Sequence, residues 1–183
     1  MSDAERGVIE RERKYRLSDT GAGRLRARLE RDGRAVRSER QETIVLRDRA
    51  SRLEKGAYLR FRTVGGRSQL TLKGPKHEVG KDKWRVEHTL GLADGPALEL
   101  LAAMGFEPGT RYVKDTAIFV FRTVVVSVDR LAGVGRFCEI ETDELEKDLD
   151  AVAEALDLRD EDLERRGYPR IAQSAQERVG ARS

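Results

Sequence analysis

The feature that most constrains the fold is a strand-like segment near the N-terminus in which charged residues recur at every second position. In the run Val8-Ile9-Glu10-Arg11-Glu12-Arg13-Lys14-Tyr15, the residues Glu10, Glu12 and Lys14 are spaced two apart. Successive side chains of a β-strand point to opposite faces, so these three share one face. Two carboxylates in a row suit a hard divalent cation, and a nearby lysine suits a phosphate that such a cation carries. The segment therefore predicts a charged strand face.

Later strand-like segments repeat this alternation, with charged or polar residues on one parity and mostly apolar residues on the other. The charged parity comprises Glu10, Glu12, Lys14, Arg60, Arg62, Thr71, Lys73, Arg85, Glu87, Lys114, Asp129, Glu139 and Glu141. The apolar parity comprises Leu59, Phe61, Leu70, Leu72, Val86, Val113, Val124, Val126, Val128 and Ile140. Helix stripes at Leu25/Leu29 and Leu98/Leu101 are available to cover the apolar side.

Two interpretations of the charged parity stay open at this point. It is either the solvated face of an antiparallel sheet or the inner wall of a barrel. Buried charges are tolerated only when they are paired or bound to a ligand. A polyphosphate with a divalent metal would satisfy both signs of charge at once, because arginine and lysine bind phosphate oxygens and carboxylates hold the metal.

The rest of the pattern predicts mainly consecutive strands with helices between them. One helix begins near Ser18 and ends at Gly33, which we expect in the left-handed conformation; another runs from about Pro96 to Met104. We predict strands at 36–46, 58–64, 69–73, 84–90, 112–121, 123–129 and 136–142, with a tight turn at Gly65-Gly66 and a mobile basic loop at 74–83. An acidic helix at 145–156, a turn at 160–166 and a frayed polar tail after Ala172 complete the prediction. This is α+β with a large antiparallel sheet.

Composition limits the class of protein. The 183 residues are expected to form one domain, 1–183, with a core from about 8 to 170. The 36 Lys+Arg and 33 Asp+Glu leave a net charge of +3. A net charge this small does not by itself imply a nucleic acid or a membrane as partner. The lone Cys138 excludes an internal disulfide and a cysteine-based zinc site. A charged N-terminus and an apolar run of only Val124-Val125-Val126 favour a cytoplasmic protein without a membrane span.

Five motifs carry a resemblance to a known family. They are Glu10-Arg11-Glu12-Arg13-Lys14, Leu59-Arg60-Phe61-Arg62, Leu72-Lys73-Gly74-Pro75, Arg85-Val86-Glu87 and the segment 128–141, VDRLAGVGRFCEIE. In this order they resemble the ExExK, LRxR, LKGP, RxE and D…GLGxFxEIE motifs of the CYTH superfamily. These triphosphate tunnel metalloenzymes include class IV adenylate cyclases and thiamine triphosphatases. The resemblance covers about Glu10 to Tyr168 and is greatest to the stand-alone bacterial class IV cyclases.

The resemblance implies an eight-stranded antiparallel β-barrel tunnel with flanking helices, which holds Mg²⁺ or Mn²⁺ and a triphosphate. It assigns metal binding to Glu10, Glu12, Asp129, Glu139 and Glu141. It assigns phosphate binding to Lys14, Arg60, Arg62, Lys73, Arg85 and Lys114, with Lys14, Arg62 and Lys73 as catalytic residues. Glu87 would orient the basic side chains. It also implies a homodimer, whereas the acidic helix at 145–156 either caps the barrel or joins two subunits.

The chain departs from the family pattern at two places. Lys114 is followed by Asp115 and Thr116 where the family often has K-x-R, so one phosphate-binding arginine is missing or Arg111 replaces it. On the second strand, relatives often carry an aromatic residue and then an acid where this chain has Val45 and Arg47.

Three functions therefore remain open. In a cyclase, the ribose 3′-hydroxyl of ATP attacks the α-phosphorus and pyrophosphate leaves. In a triphosphatase, water attacks the terminal phosphorus of inorganic, thiamine or nucleoside triphosphate. In a non-catalytic binder of nucleotide, polyphosphate or RNA, the arginine-rich hairpin contacts phosphates, and binding is metal-independent with a steep salt dependence. Carboxylates among the bases disfavour a nucleic acid.

Overall fold

A computed structural model describes residues 7–93 and 95–181. In this part of the chain the strands are Val8–Leu17 (β1), Arg34–Asp48 (β2), Tyr58–Val64 (β3), Arg67–Lys73 (β4), His77–Val79 (β5), Asp82–Leu92 (β6), Phe106–Phe121 (β7), Val124–Leu131 (β8) and Gly135–Thr142 (β9). The helices are Asp19–Asp32 (α1), Ala97–Ala103 (α2), Leu149–Ala155 (α3) and Tyr168–Gly180 (α4), and a 3₁₀ turn spans Asp160–Asp162.

Eight of these strands close into an antiparallel barrel. Their order is β1-β9-β8-β7-β2-β3-β4-β6, and the ring closes because β1 pairs with β9 on one side and with β6 on the other. The short β5 pairs only with β6 and lies outside the ring. The α+β fold with an eight-stranded barrel is confirmed.

Local sequence signals explain most element ends. The Ser18 side chain caps α1 by accepting a hydrogen bond from the backbone N–H of Gly21 at 3.0 Å. Gly65 and Gly66 both have positive φ, as the tight hairpin turn requires. Gly105 has φ of 83° and ends α2, as predicted. Gly33 does not adopt the predicted left-handed conformation; its φ is −115°, and a Cβ there would lie 2.8 Å from the Leu29 carbonyl oxygen.

Four expectations for the chain between and after the strands are corrected. The segment 74–83 contains β5 and the start of β6, and His77 stacks on Trp84 at 4.2 Å between ring centroids. Strand β7 begins at Phe106, six residues before the predicted start. The acidic helix, predicted at 145–156, is shorter in the structure: it spans Leu149–Ala155. The tail is not frayed from Ala172, since α4 continues to Gly180.

Most of the apolar parity faces outward and is covered by helices, whereas Val86 is 37% exposed. Leu25 and Leu29 of α1 pack with the outer valines of β8 and with Ile140. On the other side, Leu98 and Leu101 of α2 pack against the apolar residues of β3 and β4. The apolar stripe of α3 is buried in the first of these cores, so this helix packs on the outer wall of the barrel. The barrel interior is therefore left to the charged parity.

Among the described residues, no helix is long and apolar enough to cross a membrane.

Candidate active site in the barrel tunnel

The barrel encloses a cavity of about 460 Å³, within the usual range for small-molecule sites. The charged parity lines it, so the charged set faces inward. Predicted site residues that line the cavity are Glu10, Glu12, Lys14, Arg60, Arg62, Lys73, Arg85, Lys114, Glu139 and Glu141. Asp129 is fully buried beside the cavity, where its carboxylate contacts Lys114.

Three of the five predicted metal ligands converge. One carboxylate oxygen from each of Glu10, Glu12 and Glu141 lies within 4.8 Å of the others. The register explains this, because Glu12 and Glu141 are directly paired across β1 and β9. We call these three residues the acidic cluster. Burial and the neighbouring carboxylates raise the pKa of Glu141 well above its usual value. Like charges held together in a buried site fit a hard divalent cation, which would neutralise them.

Glu12 differs from the other two members of the acidic cluster. Burial would raise the pKa of Glu12, but Lys83 and then Lys14 and Lys73 outweigh it, so the pKa is well below its usual value. Lys83 Nζ lies 2.6 Å from Glu12 Oε1. Sequence reasoning missed Lys83 because it placed this residue in a loop. The spacing of two between Lys83, Arg85 and Glu87 could have indicated that all three lie on the same face of a strand.

The other two predicted metal ligands pair with lysines. Glu139 Oε1 lies 3.0 Å from Lys14 Nζ, and Asp129 Oδ2 lies 3.0 Å from Lys114 Nζ. The Tyr168 hydroxyl donates to Asp129, and both lysine ammonium groups lie over the Tyr168 ring, at 3.9 and 4.7 Å from its centroid. Burial would lower the pKa of Lys14, but Glu139 and Glu12 outweigh it and the pKa is raised. We call Lys14 and Lys114 the lysine pair; both stay charged.

In addition to the lysine pair, strands β3, β4 and β6 contribute basic side chains to the tunnel wall. Lys73 Nζ lies 3.0 Å from Glu10 Oε2 and also contacts Glu87. Arg60 Nη2 lies 3.7 Å from Glu87 Oε2, so Glu87 joins Lys73 and Arg60. Arg85 donates to the backbone carbonyl of Gly74 at 3.3 Å. The predicted orienting role of Glu87 agrees with these contacts.

The described residues provide no ion-pair partner for the Arg62 guanidinium, which lines the cavity. Among the described residues its guanidinium makes no ion pair or side-chain hydrogen bond, and its Nε is buried. Burial and then Arg60 lower the pKa of Arg62. Arg111, the alternative source of charge, is exposed and does not line the cavity, whereas Thr116 does. The second basic residue of the family's K-x-R pair is therefore replaced by a threonine.

Exposure falls from Val8 to Lys14 along the inner face of β1 and rises again at Arg16, whose side chain is 45% exposed. Val8 is 59% exposed, the Glu10 and Glu12 side chains are 24% and 14% exposed, and the Lys14 side chain is 1% exposed. The acidic cluster therefore lies nearer an open mouth, and the lysine pair lies at a buried end. Gly167, Tyr168 and Pro169 at the start of α4 line the cavity at that end.

The raised carboxylate pKa values predict how stability depends on pH. The pKa of Glu10 is raised from 4.5 to about 7 by burial, which outweighs the nearby Lys73. A raised pKa stabilises the fold at low pH, and this contribution is lost as pH rises through the folded-state value. We expect the Tm measured in EDTA to fall between about pH 5 and pH 8, and Mn²⁺ to reduce that fall because it favours the ionised carboxylates. A Tm in EDTA that rises over this range, or that Mn²⁺ leaves unchanged, would contradict the acidic cluster as a cation site.

A closed antiparallel barrel with inward carboxylates on one side and lysines and arginines around them defines a triphosphate tunnel protein as the class. The chain belongs to the CYTH domain family, whose family model matches residues 8–168. Enzymes of this family act on triphosphates and are typically metal-dependent. Among curated protein sequences, none matches this chain at a significant level.

Solved structures share the fold at low sequence identity. A conserved hypothetical protein from Pyrococcus furiosus is 23% identical with a TM-score of 0.74, over 88% of this chain and 99% of that one. A candidate adenylate cyclase from Vibrio parahaemolyticus is 20% identical with a TM-score of 0.72, over 91% and 99%. A candidate adenylyl cyclase from Hippeastrum, described as having a dominant triphosphatase activity, is 15% identical with a TM-score of 0.66, over 94% and 96%. These likenesses establish the fold.

Proposed function

We propose that this protein is a metal-dependent adenylate cyclase of the class IV type, which converts ATP to cyclic AMP and pyrophosphate in the tunnel. The observation that carries the proposal is the order of charges along the tunnel. The acidic cluster lies nearer the open mouth and the lysine pair lies at the buried end. A triphosphate with its nucleoside at the mouth would have its α-phosphate near the acidic cluster and its other two phosphates among the basic residues.

This arrangement suits cyclisation. The bond between the ribose 3′ oxygen and the α-phosphorus forms, the bond from the α-phosphorus to the bridging oxygen breaks, and pyrophosphate leaves with the electron pair. The 3′-hydroxyl gives up its proton to solvent water at the open mouth. Lys14, Arg62 and Lys73 hold the leaving pyrophosphate and stabilise the charge that develops on it. Lys114, beside Lys14 at the buried end, holds the same pyrophosphate, and Arg60 and Arg85 hold the remaining phosphate oxygens.

The acidic cluster would hold the cation. Glu10, Glu12 and Glu141 would bind Mg²⁺ or Mn²⁺, which when bound neutralises charge on phosphate oxygens. Glu139 and Asp129 were also predicted as ligands, and their ion pairs with the lysine pair favour a positioning role in the ligand-free protein. Asp129 Oδ1 is buried and has no hydrogen-bond partner among the described residues, so it keeps capacity for one more contact.

A triphosphatase is the second candidate, and one observation favours it. The tunnel rim contributed by β2 and the β7–β8 hairpin consists of Val36, Val120, Val125, Arg34 and Arg37. None of these described residues is aromatic, so this rim offers no ring to stack on adenine. Water attack on the terminal phosphorus would need no base pocket. The Hippeastrum protein of the same fold has a dominant triphosphatase activity by its description.

Product analysis tests the proposal. The protein is incubated with Mn²⁺ or Mg²⁺ and, separately, with ATP, tripolyphosphate and thiamine triphosphate. Cyclic AMP with pyrophosphate supports the cyclase, and release of orthophosphate supports the triphosphatase. Tight binding without turnover would leave the non-catalytic binder. A cytoplasmic location and a homodimer belong to the same proposal and remain predictions.

A further inference from the structure

We infer that Lys83 is a resident counter-ion of the acidic cluster: its ammonium group occupies Glu12 in the cation-free protein and weakens the binding of a free divalent cation. The inference rests on one part of the proposed function, the acidic cluster as the cation site. It goes beyond that part by giving a role to a lysine outside the five motifs. The cation is then held firmly only when triphosphate oxygens complete its coordination.

Lys83 contacts the acidic cluster without lining the tunnel cavity. The register of β6 against β1 pairs Lys83 directly with Glu12, and Lys83 Nζ lies 2.6 Å from Glu12 Oε1. The Lys83 side chain is only 8% exposed. Among the described residues that line the tunnel cavity, the lysines are Lys14, Lys73 and Lys114. Lys83 therefore acts on the carboxylate of Glu12 and not on the phosphate chain.

The surroundings of Lys83 keep its ammonium group at Glu12. The preceding residue, Asp82, points to the other face of β6, where it accepts hydrogen bonds from Arg13 Nε at 2.6 Å and from Arg11 Nε at 2.9 Å. Asp82 and Arg13 are buried, so these contacts fix the backbone next to Lys83. A small cavity that Lys83 borders measures about 10 Å³, so the side chain has little room to turn away. A buried ammonium group is costly without a partner, and Lys83 stays with Glu12 until a cation competes for that carboxylate.

The charge balance of the acidic cluster sets the size of the effect. Lys73 Nζ lies 3.0 Å from Glu10 Oε2. Lys83 pairs with Glu12, and Glu141 forms no ion pair within the described residues. Two of the three negative charges are therefore offset before a cation binds. A divalent cation on Glu12 would lie within roughly 6 Å of the Lys83 ammonium group, since carboxylate oxygens hold Mg²⁺ at about 2.1 Å. Repulsion at that distance weakens cation binding about tenfold even at the dielectric constant of water, and more at a buried site.

Titration of the whole chain with Mn²⁺ alone, without any triphosphate, tests the inference. Calorimetry at about pH 8, above the pKa of about 7 of Glu10, gives the Kd for Mn²⁺ of wild type and of Lys83→Met. This substitution removes the charge and keeps an unbranched side chain. We expect the Kd to be at least about tenfold lower in Lys83→Met. The Tm of this variant in EDTA should fall, because Glu12 loses its partner, and Mn²⁺ should raise its Tm by more than it raises that of wild type.

Two further variants separate the charge from its position. Lys83→Arg keeps the charge, so its Kd should stay within about threefold of the wild-type value. Lys81→Met is the matched control, because it removes the same charge two residues away. The Lys81 ammonium group pairs with Asp150 and Asp160, outside the barrel, so this Kd should also stay within about threefold of the wild-type value.

The outcomes distinguish this inference from the proposed function. A Kd for Mn²⁺ that is unchanged or higher in Lys83→Met would overturn the inference and leave the acidic cluster standing as the cation site. A Kd as low in Lys83→Arg as in Lys83→Met would also overturn it, since the charge would then not be the cause. Failure of both wild type and Lys83→Met to bind Mn²⁺ would sink the cation site and the inference together. Should Lys83→Met fail to fold, Lys83→Gln, which removes the charge and keeps a hydrogen-bond donor, takes its place with the same expected change.

Discussion

Replacing Glu12 by Gln should reduce metal-dependent turnover by at least about 100-fold. Removing a group that only supports a metal ligand typically costs about 10- to 100-fold, so removing a direct ligand should cost at least the upper value. Glu12 is the member of the acidic cluster whose pKa is lowered, so it is the carboxylate that is charged before any cation arrives. Turnover is measured with each triphosphate over a range of Mn²⁺ concentrations.

The control for this substitution is Glu42→Gln. Glu42 lies on β2 with its side chain exposed, so the same chemical change should leave turnover unaltered. Glu12→Gln also leaves the buried Lys83 without its carboxylate partner at 2.6 Å, so a lower Tm is expected and must be measured separately. Activity of folded Glu12→Gln within about threefold of wild type would exclude the acidic cluster as the metal site.

Replacing Arg62 by Gln should raise the KM for the triphosphate by about 10- to 100-fold while leaving the fold as stable as before or more stable. A hydrogen bond to a charged group is worth about 1.5–3 kcal/mol, which corresponds to that range. Arg62 has no ion pair in the described chain and its pKa is lowered by burial, so its charge costs free energy until an anion binds. The measurements are KM, kcat and the urea midpoint of unfolding.

Arg111→Gln is the matched control for Arg62→Gln. Arg111 is exposed on the strand that carries Lys114 and does not line the cavity, so KM should not change. A marked loss of stability in Arg62→Gln with an unchanged KM would show that Arg62 serves the fold. A raised KM in Arg111→Gln would instead restore it as the replacement for the missing family arginine.

The sequence predicts the faces of the strands better than their partners. Alternation alone places Glu10, Glu12 and Lys14 on one face, and the structure agrees, because a strand has only two faces. It does not show which distant residue lies opposite. The register pairs Glu12 with Glu141 but Lys14 with Glu139, so two glutamates from one motif have different partners. That division depends on barrel closure, which no single strand encodes.

The buried end of the tunnel, lined by the start of α4, was the least predictable part. The chain after Ala172 is polar, and the sequence predicts a frayed tail there. The helix forms because Tyr168, Ile171 and Ala172 are buried against the barrel. Helix stability in proteins comes mainly from such packing, and a weak local propensity does not reveal it. Lys83 was missed for a similar reason, since its segment becomes a strand through pairing with β1 and β5.

The most direct test of the central claim is the affinity for α,β:β,γ-bismethylene ATP measured by calorimetry with Mg²⁺ and with EDTA. Carboxylates and bases that share one tunnel should bind the triphosphate only when a cation offsets the repulsion from the acidic cluster. We predict at least about tenfold tighter binding in Mg²⁺, which is a coupling of about 1.4 kcal/mol. Equal affinity in EDTA, with a steep dependence on salt, would contradict a metal-dependent enzyme and identify a binder of polyanions.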